Sequence, residues 1–176
     1  MTKTNEIFKA YVTNLHAYNC GYLRGEWVSF PAEPDELDAV LERIGCADGT
    51  EYFITDYDCE KITWYDHLGE YVSVEHLNEL SEAIAALDEW QQDTLAAALE
   101  LGNYRSISET IENLDDFNLY SDVNNDYDLG YMYAVECDQL DPDSFLAHYF
   151  DYEAYGRDIR LNEGGIFTYY GYIFGC

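Results

Sequence analysis

The stretch Pro34-Asp35-Glu36-Leu37-Asp38-Ala39-Val40-Leu41-Glu42-Arg43-Ile44-Gly45 decides the fold class. Leu37, Val40, Leu41 and Ile44 fall at i, i+3, i+4 and i+7, which puts them on one side of an α-helix. Pro34 suits the first helical turn, and Gly45 supplies the stop. The text on either side reads as strands. Residues 7–13 are rich in aromatic and β-branched side chains, Tyr18-Asn19-Cys20-Gly21 is a turn, and residues 22–30 return as a strand closed by Pro31. Residues 52–57 read as a third strand. A helix set among three strands predicts a small α+β module.

The middle of the chain is helical in character. Ser73 opens a pattern with Leu77, Leu80, Ile84 and Leu87 on one face. Asp88 with Gln91 resembles a capping pair for a helix that carries Leu95 and Leu99 and stops at Gly102. Ser106-Ile107-Ser108-Glu109 is a capping box ahead of Ile111 and Leu114. Beyond Asn118 the signals mix. Asp141-Pro142 predicts a helix through Phe145, Leu146, Tyr149 and Tyr152, residues 157–161 read as a strand, and Glu163-Gly164-Gly165 turns into an almost unbroken apolar strand over 166–174. Such a strand is either well buried or a dimer edge. The expected architecture is α+β: an elongated chain of three small modules, an N-terminal antiparallel sheet plus helix (1–66), a short helical bundle (67–103) and a C-terminal α+β module (104–176).

Composition narrows the function. Thirty-six Asp plus Glu stand against eight Lys plus Arg, for a net charge of -28, yet 48% of residues are hydrophobic and 16% aromatic. Disordered acidic chains lack that apolar content, so this chain folds, and does so against its own repulsion. A pI near 4.1 excludes nucleic acid and anionic membrane surfaces as partners, because both require Lys and Arg. Residues 1–6 lead into no apolar segment, so no signal peptide is expected, and no run approaches the length of a membrane span. Cys20, Cys46, Cys59, Cys137 and Cys176 are odd in number and far apart, as reduced thiols of a cytoplasmic protein would be.

Catalytic and metal signatures fail one by one. Asp122-Val123-Asn124-Asn125-Asp126 begins like an EF-hand loop, but Tyr127 replaces the turn glycine and Tyr133 the bidentate glutamate. His16, His67, His76 and His148 are isolated, with no zinc-ligand spacing. Asp56-Tyr57-Asp58 reads as a solvated strand face. No phosphate loop, nucleophile elbow or dinucleotide fingerprint occurs. Neither catalytic residue, metal site nor cofactor is expected. Tyr11, Trp27, Phe30, Trp64, Trp90 and Phe145 read as core, while Tyr152-Glu153-Ala154-Tyr155 and Tyr169-Tyr170 suit an interface.

The carboxylates are the constellation worth most. Glu75, Glu79 and Glu82 lie opposite the Leu77, Leu80 and Ile84 face, Glu109, Glu112 and Asp116 repeat the arrangement, and Glu36 and Glu42 flank the first helix. Residues three or four apart on a helix sit about 5–6 Å apart at Cβ, a separation of the same order as that of successive phosphates on a DNA strand. Between Lys61 and Arg105 there is no Lys or Arg, which solubility alone does not require. The candidate partner-binding set is therefore Glu36, Glu42, Asp56, Asp58, Asp66, Glu70, Glu75, Glu79, Glu82 and Asp88, continuing with Glu89, Asp93, Glu100, Glu109, Glu112, Asp115, Asp116, Asp122, Asp126 and Asp128. The candidate dimer contact is Ile166, Phe167, Tyr169, Tyr170 and Tyr172.

Three ordered motifs carry a resemblance to a known family. They are Tyr11-Val12-Thr13-Asn14-Leu15 with Tyr18-Asn19, Gly21, Leu23, Gly25, Trp27 and Phe30-Pro31; then Ile54, Asp56 and Tyr57; then Asp151-Tyr152-Glu153-Ala154-Tyr155-Gly156-Arg157-Asp158 with Gly165-Ile166-Phe167. The chain resembles the ArdA antirestriction proteins over nearly its whole length, departing at Asp58, where members often have Glu, and at Gly164, where they often have His. The resemblance implies an elongated, dimeric DNA mimic, encoded on mobile genetic elements, that inhibits bacterial type I restriction–modification enzymes at their methyltransferase core. Rival readings are an acidic module for an unrelated basic DNA-binding protein, a halophilic surface, and a hydrolase.

Overall fold

The computed structural model describes residues 6–137 and 140–175. Residues 1–5 and Cys176, on which the expectations about a leader and the fifth thiol partly fall, lie outside the described residues. The chain forms two compact units, Met1–Asp88 and Glu89–Cys176. Both mix helices with a small antiparallel sheet, so the fold class is α+β. The helices grouped by sequence into a central module are divided between them.

In the first unit the sheet order is β2–β1–β3, built from β1 (Phe8–Asn14), β2 (Gly25–Phe30) and β3 (Tyr52–Cys59). Alternation along β1 buries Phe8, Ala10 and Val12 on one face. A bulge between Tyr11 and Val12 shifts the register from Tyr11↔Asp56 to Val12↔Ile54. The quoted helix is α2 (Pro34–Ile44): Leu37, Val40 and Ile44 are buried, and Gly45 caps it with φ 77°. Asp35 and Glu36 at its start and Arg43 in its last turn match the helix dipole. Two short helices escape the sequence signals, α1 (Leu15–Asn19) and α3 (Ile62–Leu68). The Tyr18–Gly21 turn is the end of α1, and the returning strand starts only at Gly25. In α4 (Val74–Ala85) the Ser73 hydroxyl accepts from the His76 amide, and Val74, Leu77, Leu80 and Ile84 are buried.

Neutral polar side chains knit this unit. The Asn14 side chain accepts from the Ala17 amide at 2.8 Å and donates to the Ile44 and Gly45 carbonyls at 3.1 and 3.2 Å. One buried residue thereby starts α1 and satisfies two terminal carbonyls of α2. Asn78 accepts from the Ala32 amide at 2.7 Å, and the Tyr11 hydroxyl donates to the Gly25 carbonyl at 3.1 Å.

In the second unit the sheet order is β4–β6–β5, from β4 (Phe117–Tyr120), β5 (Ile166–Thr168) and β6 (Gly171–Gly175). The expected single strand over 166–174 is a hairpin. The Thr168 hydroxyl accepts from the Tyr170 amide and donates to the Gly171 carbonyl, both at 3.0 Å, closing the turn. Against the sheet packs α5 (Glu89–Leu101), with six consecutive residues buried, Thr94 through Leu99. A helix buried on all sides is a core element. In α6 (Ile107–Glu112) Ser106 caps the Glu109 amide as read, but the Glu109 carboxylate returns to the Arg105 amide rather than to that of Ser106.

The helix expected from Asp141 to Tyr152 does not form. Phe145, Leu146 and Tyr149, which would form its apolar stripe, are exposed, and the segment keeps a tight turn at Ala147–Tyr149. The helix begins where Asp151 caps the Ala154 amide: α8 (Tyr152–Glu163) includes residues 157–161, which the sequence reads as a strand. It crosses α7 (Asp126–Tyr131) at two glycines. A Cβ on Gly156 would collide with the Asp126 carbonyl, and one on Gly130 with the Tyr152 carbonyl. The Arg160 guanidinium clamps Asp126 across the same crossing at 2.7 and 3.1 Å. Beside it both oxygens of Glu163 accept phenols, from Tyr133 and, at 2.8 Å, from the buried Tyr172. Of the aromatics read as core, Phe30 and Trp64 are buried and Tyr11 half-buried. Trp27, Trp90 and Phe145 are exposed, Trp27 edge-on to the Tyr11 ring at 5.3 Å and Phe145 against Tyr149 at 4.9 Å.

Two outcomes follow from this packing. Gly156→Ala should lower unfolding free energy by about 3 kcal/mol or more, since backbone must move to admit the methyl, whereas Ala154→Gly should cost roughly 1 kcal/mol; denaturant melts distinguish them. Burial, and then the bond to Glu163, push the phenol pKa values of Tyr133 and Tyr172 well up. A raised folded-state pKa gives stability that is complete below the free tyrosine value of about 10 and lost as pH rises beyond it. Arg160 holds the Asp126 carboxyl below its usual range, so that contribution is present above about pH 4 and lost as pH falls further. Stability against pH should fall on both flanks, and Tyr172→Phe should flatten the alkaline one.

Candidate functional site: the carboxylate surface

Charge is shared almost evenly between the units. The first holds 18 Asp plus Glu and five Lys plus Arg, the second 18 and three, giving -13 and -15. Of the twenty candidate carboxylates, seventeen are exposed; Asp93, Asp126 and Asp128 are half-buried.

In the first unit the core-facing stripe of each helix fixes where its anions point. On α4 the buried Leu77, Leu80 and Ile84 leave Glu75, Glu79 and Glu82 on the solvent side. Glu82 accepts from the Asn78 amide group at 3.0 Å, and His76 lies 3.9 Å from Glu79. On α2 the buried stripe leaves Glu36 and Glu42 outside. Asp35 and Asp38, absent from the sequence-derived set, join Glu42 at i, i+3 and i+7, a spacing that could have revealed them. Asp56 and Asp58 are exposed on β3 beside the half-buried Tyr57, whose hydroxyl donates to the Gly69 carbonyl at 2.6 Å. Asp66, Glu70 and Asp88 are exposed as well.

In the second unit Glu89 and Glu100 flank the buried run of α5, and burial raises the Glu100 carboxyl above its ordinary range. Glu112, Asp115 and Asp122 are exposed. Asp116 accepts from the Tyr104 hydroxyl at 2.9 Å. Two candidates prove to be structural. Asp126 is committed to Arg160. Asp128 receives the Asn124 amide at 3.3 Å and the Asn125 side chain at 2.7 Å, which ties down the start of α7. The fold brings Arg160 to Asp126 across 34 positions, which sequence spacing does not disclose, whereas Asn124 and Asn125 lie four and three residues before Asp128, a local spacing. The would-be calcium ligand Asp126 is occupied in the same way, and among the described residues no group of three or more His, Cys, Asp or Glu is placed to hold a metal ion.

Among the described residues, carboxylate partners inside the same unit include Glu6 for Lys9 at 3.2 Å, both oxygens of Glu26 for Arg43 at 2.7 and 2.9 Å, and Asp126 for Arg160. Glu26 is accordingly held below its ordinary pKa. Of these anions only Asp126 belongs to the candidate set.

The candidate dimer segment spans β5, the hairpin turn and β6. Tyr172 is fully buried and bonded to Glu163, which removes it from any surface contact. Ile166, Phe167 and Tyr170 are half-buried against the sheet, with Arg160 lying 5.6 Å over the Phe167 ring. Only Tyr169, at the hairpin tip, is open, 91% exposed. Burial of Cys59 pushes its thiol up to about 11, and Cys20, Cys46, Cys59 and Cys137 are unpaired. Among the described residues no helix is long and apolar enough to cross a membrane.

None of the curated proteins compared with the chain matches it. A family model described as antirestriction protein (ArdA) matches residues 10–174. That span takes in nearly all of both sheets, the Asn14 junction, the Gly130–Gly156 crossing and all twenty candidate carboxylates, and the chain belongs to the ArdA family of antirestriction proteins.

Proposed function

We propose that this antirestriction protein acts as a counterfeit of duplex DNA, inhibiting type I restriction–modification enzymes by occupying the DNA-binding groove of their methyltransferase core. The observation that carries the reading is the exposure of seventeen candidate carboxylates on a chain of net charge -28. Duplex DNA carries about one charge per 1.7 Å of axis, so 28 charges correspond to roughly 48 Å, or about fourteen base pairs. Carboxylates take the Lys and Arg positions that would hold phosphates, and opposite fields speed the encounter. Inhibition is stoichiometric, without turnover. The active form is a cytoplasmic homodimer, and the gene is one carried on a mobile element.

Many weak pairs acting together make a specific mutational pattern. Solvent-exposed ion pairs contribute about 0.2–1 kcal/mol each, so Glu75→Gln, Glu79→Gln or Glu82→Gln alone should weaken inhibition less than about fivefold, and the triple variant about tenfold. The readout is cleavage of unmodified DNA by a purified type I enzyme as inhibitor is titrated. A single Asp→Asn change that abolished activity in a folded protein would instead favour a catalytic or metal role.

Salt separates this reading from a halophilic surface. The protein should melt as cooperatively at low salt as in molar salt, while its hold on the enzyme weakens as salt rises. A fold that required molar salt would mark the charge as an adaptation to brine.

A further inference from the structure

A cavity of about 500 Å³ opens in the second unit between β4, α7 and the wide helical turn Met132–Cys137. Three tyrosines, Tyr120, Tyr127 and Tyr131, line it beside the apolar Leu119, Val123 and Met132. Tyr127 and Tyr131, one turn apart on α7, stand nearly parallel, with an interplanar angle of 18° and centroids 6.5 Å apart. Both stay open to solvent although Tyr152 backs them at 5.5 and 5.4 Å. Among the described residues the charged groups that line the cavity are the carboxylates Asp122, Asp128 and Glu136, with no Lys, Arg or His. The volume falls in the range of small-ligand sites, which are mainly apolar with a few polar groups that set the ligand's sign. Aromatic faces combined with acceptor-only anions select an organic cation. A bare metal ion does not suit, because these carboxylates do not converge as a ligand group.

We infer that this cavity binds the guanidinium-bearing side chain of an arginine on a basic protein segment. A planar, weakly hydrated guanidinium stacks on tyrosine and meets carboxylates edge-on, whereas an ammonium is a compact and strongly hydrated point charge. Tyr127 and Tyr131 supply the stacking surface. Glu136 and Asp122, both exposed, supply the charge. Asp128, whose Oδ2 already takes the Asn124 and Asn125 bonds, adds a fixed anion at the wall. The site is distinct in kind from a row of phosphate substitutes, since it grips one side chain by shape as well as charge.

The test is titration of the isotope-labelled full chain with acetyl-Gly-Arg-Gly-amide, followed by amide resonances, with the lysine peptide, the citrulline peptide and spermidine as parallel arms. The arginine peptide should shift resonances confined to residues 119–136 and should bind tighter than the lysine peptide and spermidine, with the neutral citrulline peptide silent. Glu136→Gln and Tyr127→Leu should each weaken it by about two- to fivefold, and Glu33→Gln in the other unit should leave it unchanged. Should Tyr127→Leu unfold, Glu136→Gln and Asp122→Asn carry the same comparison on exposed positions. Shifts spread over carboxylates of both units, equal affinity for lysine or spermidine, or indifference to Glu136→Gln would each overturn the assignment. No restriction enzyme enters the measurement, so its outcome and that of the DNA-mimicry reading are separable.

Discussion

Self-repulsion is the constraint under which every other feature of this chain operates. Twenty-eight net negative charges on 176 residues oppose compaction, and eight cations are too few to neutralise them. Two consequences are visible. Burial is carried by apolar side chains and tyrosine rings, each fully buried Leu, Ile or Phe contributing roughly 1.5–3 kcal/mol. Interior polar tasks fall to neutral groups: Asn14 joins β1, α1 and α2, Asn78 anchors the segment before α2, and Tyr133 and Tyr172 satisfy Glu163. The carboxylate of Asp126, drawn partly inward, is met by an arginine, Arg160.

That division of labour separates scaffold from surface. The motif residues that mark the family largely build the fold. Asn14 caps α1, Tyr11 bonds across to Gly25, Asp151 starts α8, and Gly156 lets α8 meet α7 at backbone contact. Most of the exposed acids lie outside those motifs, on the solvent faces of α2, α4 and α5 and in the turns around β4. An array that works by summed charge tolerates shuffling of individual Asp and Glu, whereas a backbone crossing tolerates no methyl group. Apart from Asp56, the most recognisable positions and the ones proposed to meet the partner are thus different sets.

Legibility in the sequence follows the range of the interactions. Elements set by local signals were readable: α2 from its Pro34 start, apolar spacing and Gly45 stop, α4 and α6 from Ser73 and Ser106, β1 from its aromatic and β-branched residues. α8 was not, because its buried face runs through Tyr152 and Gly156, and glycine reads as a helix breaker until the partner helix is known. The hairpin at Thr168–Gly171 hid inside an apolar run whose turn is made by one hydroxyl. Exposure of Glu75, Glu79 and Glu82 followed from the opposing stripe. The engagement of Asp126 with Arg160, thirty-four positions away, is tertiary and left no local trace.

The central claim is that this surface and duplex DNA compete for one basic groove. The direct measurement is equilibrium displacement of a labelled duplex carrying the target site from a purified type I methyltransferase core, followed by anisotropy at several duplex concentrations. Mutual exclusion predicts that the inhibitor concentration for half-displacement rises in proportion to the duplex, with saturation at about one dimer per core. A ternary complex, in which labelled DNA stays bound while the protein saturates the enzyme, would contradict the account.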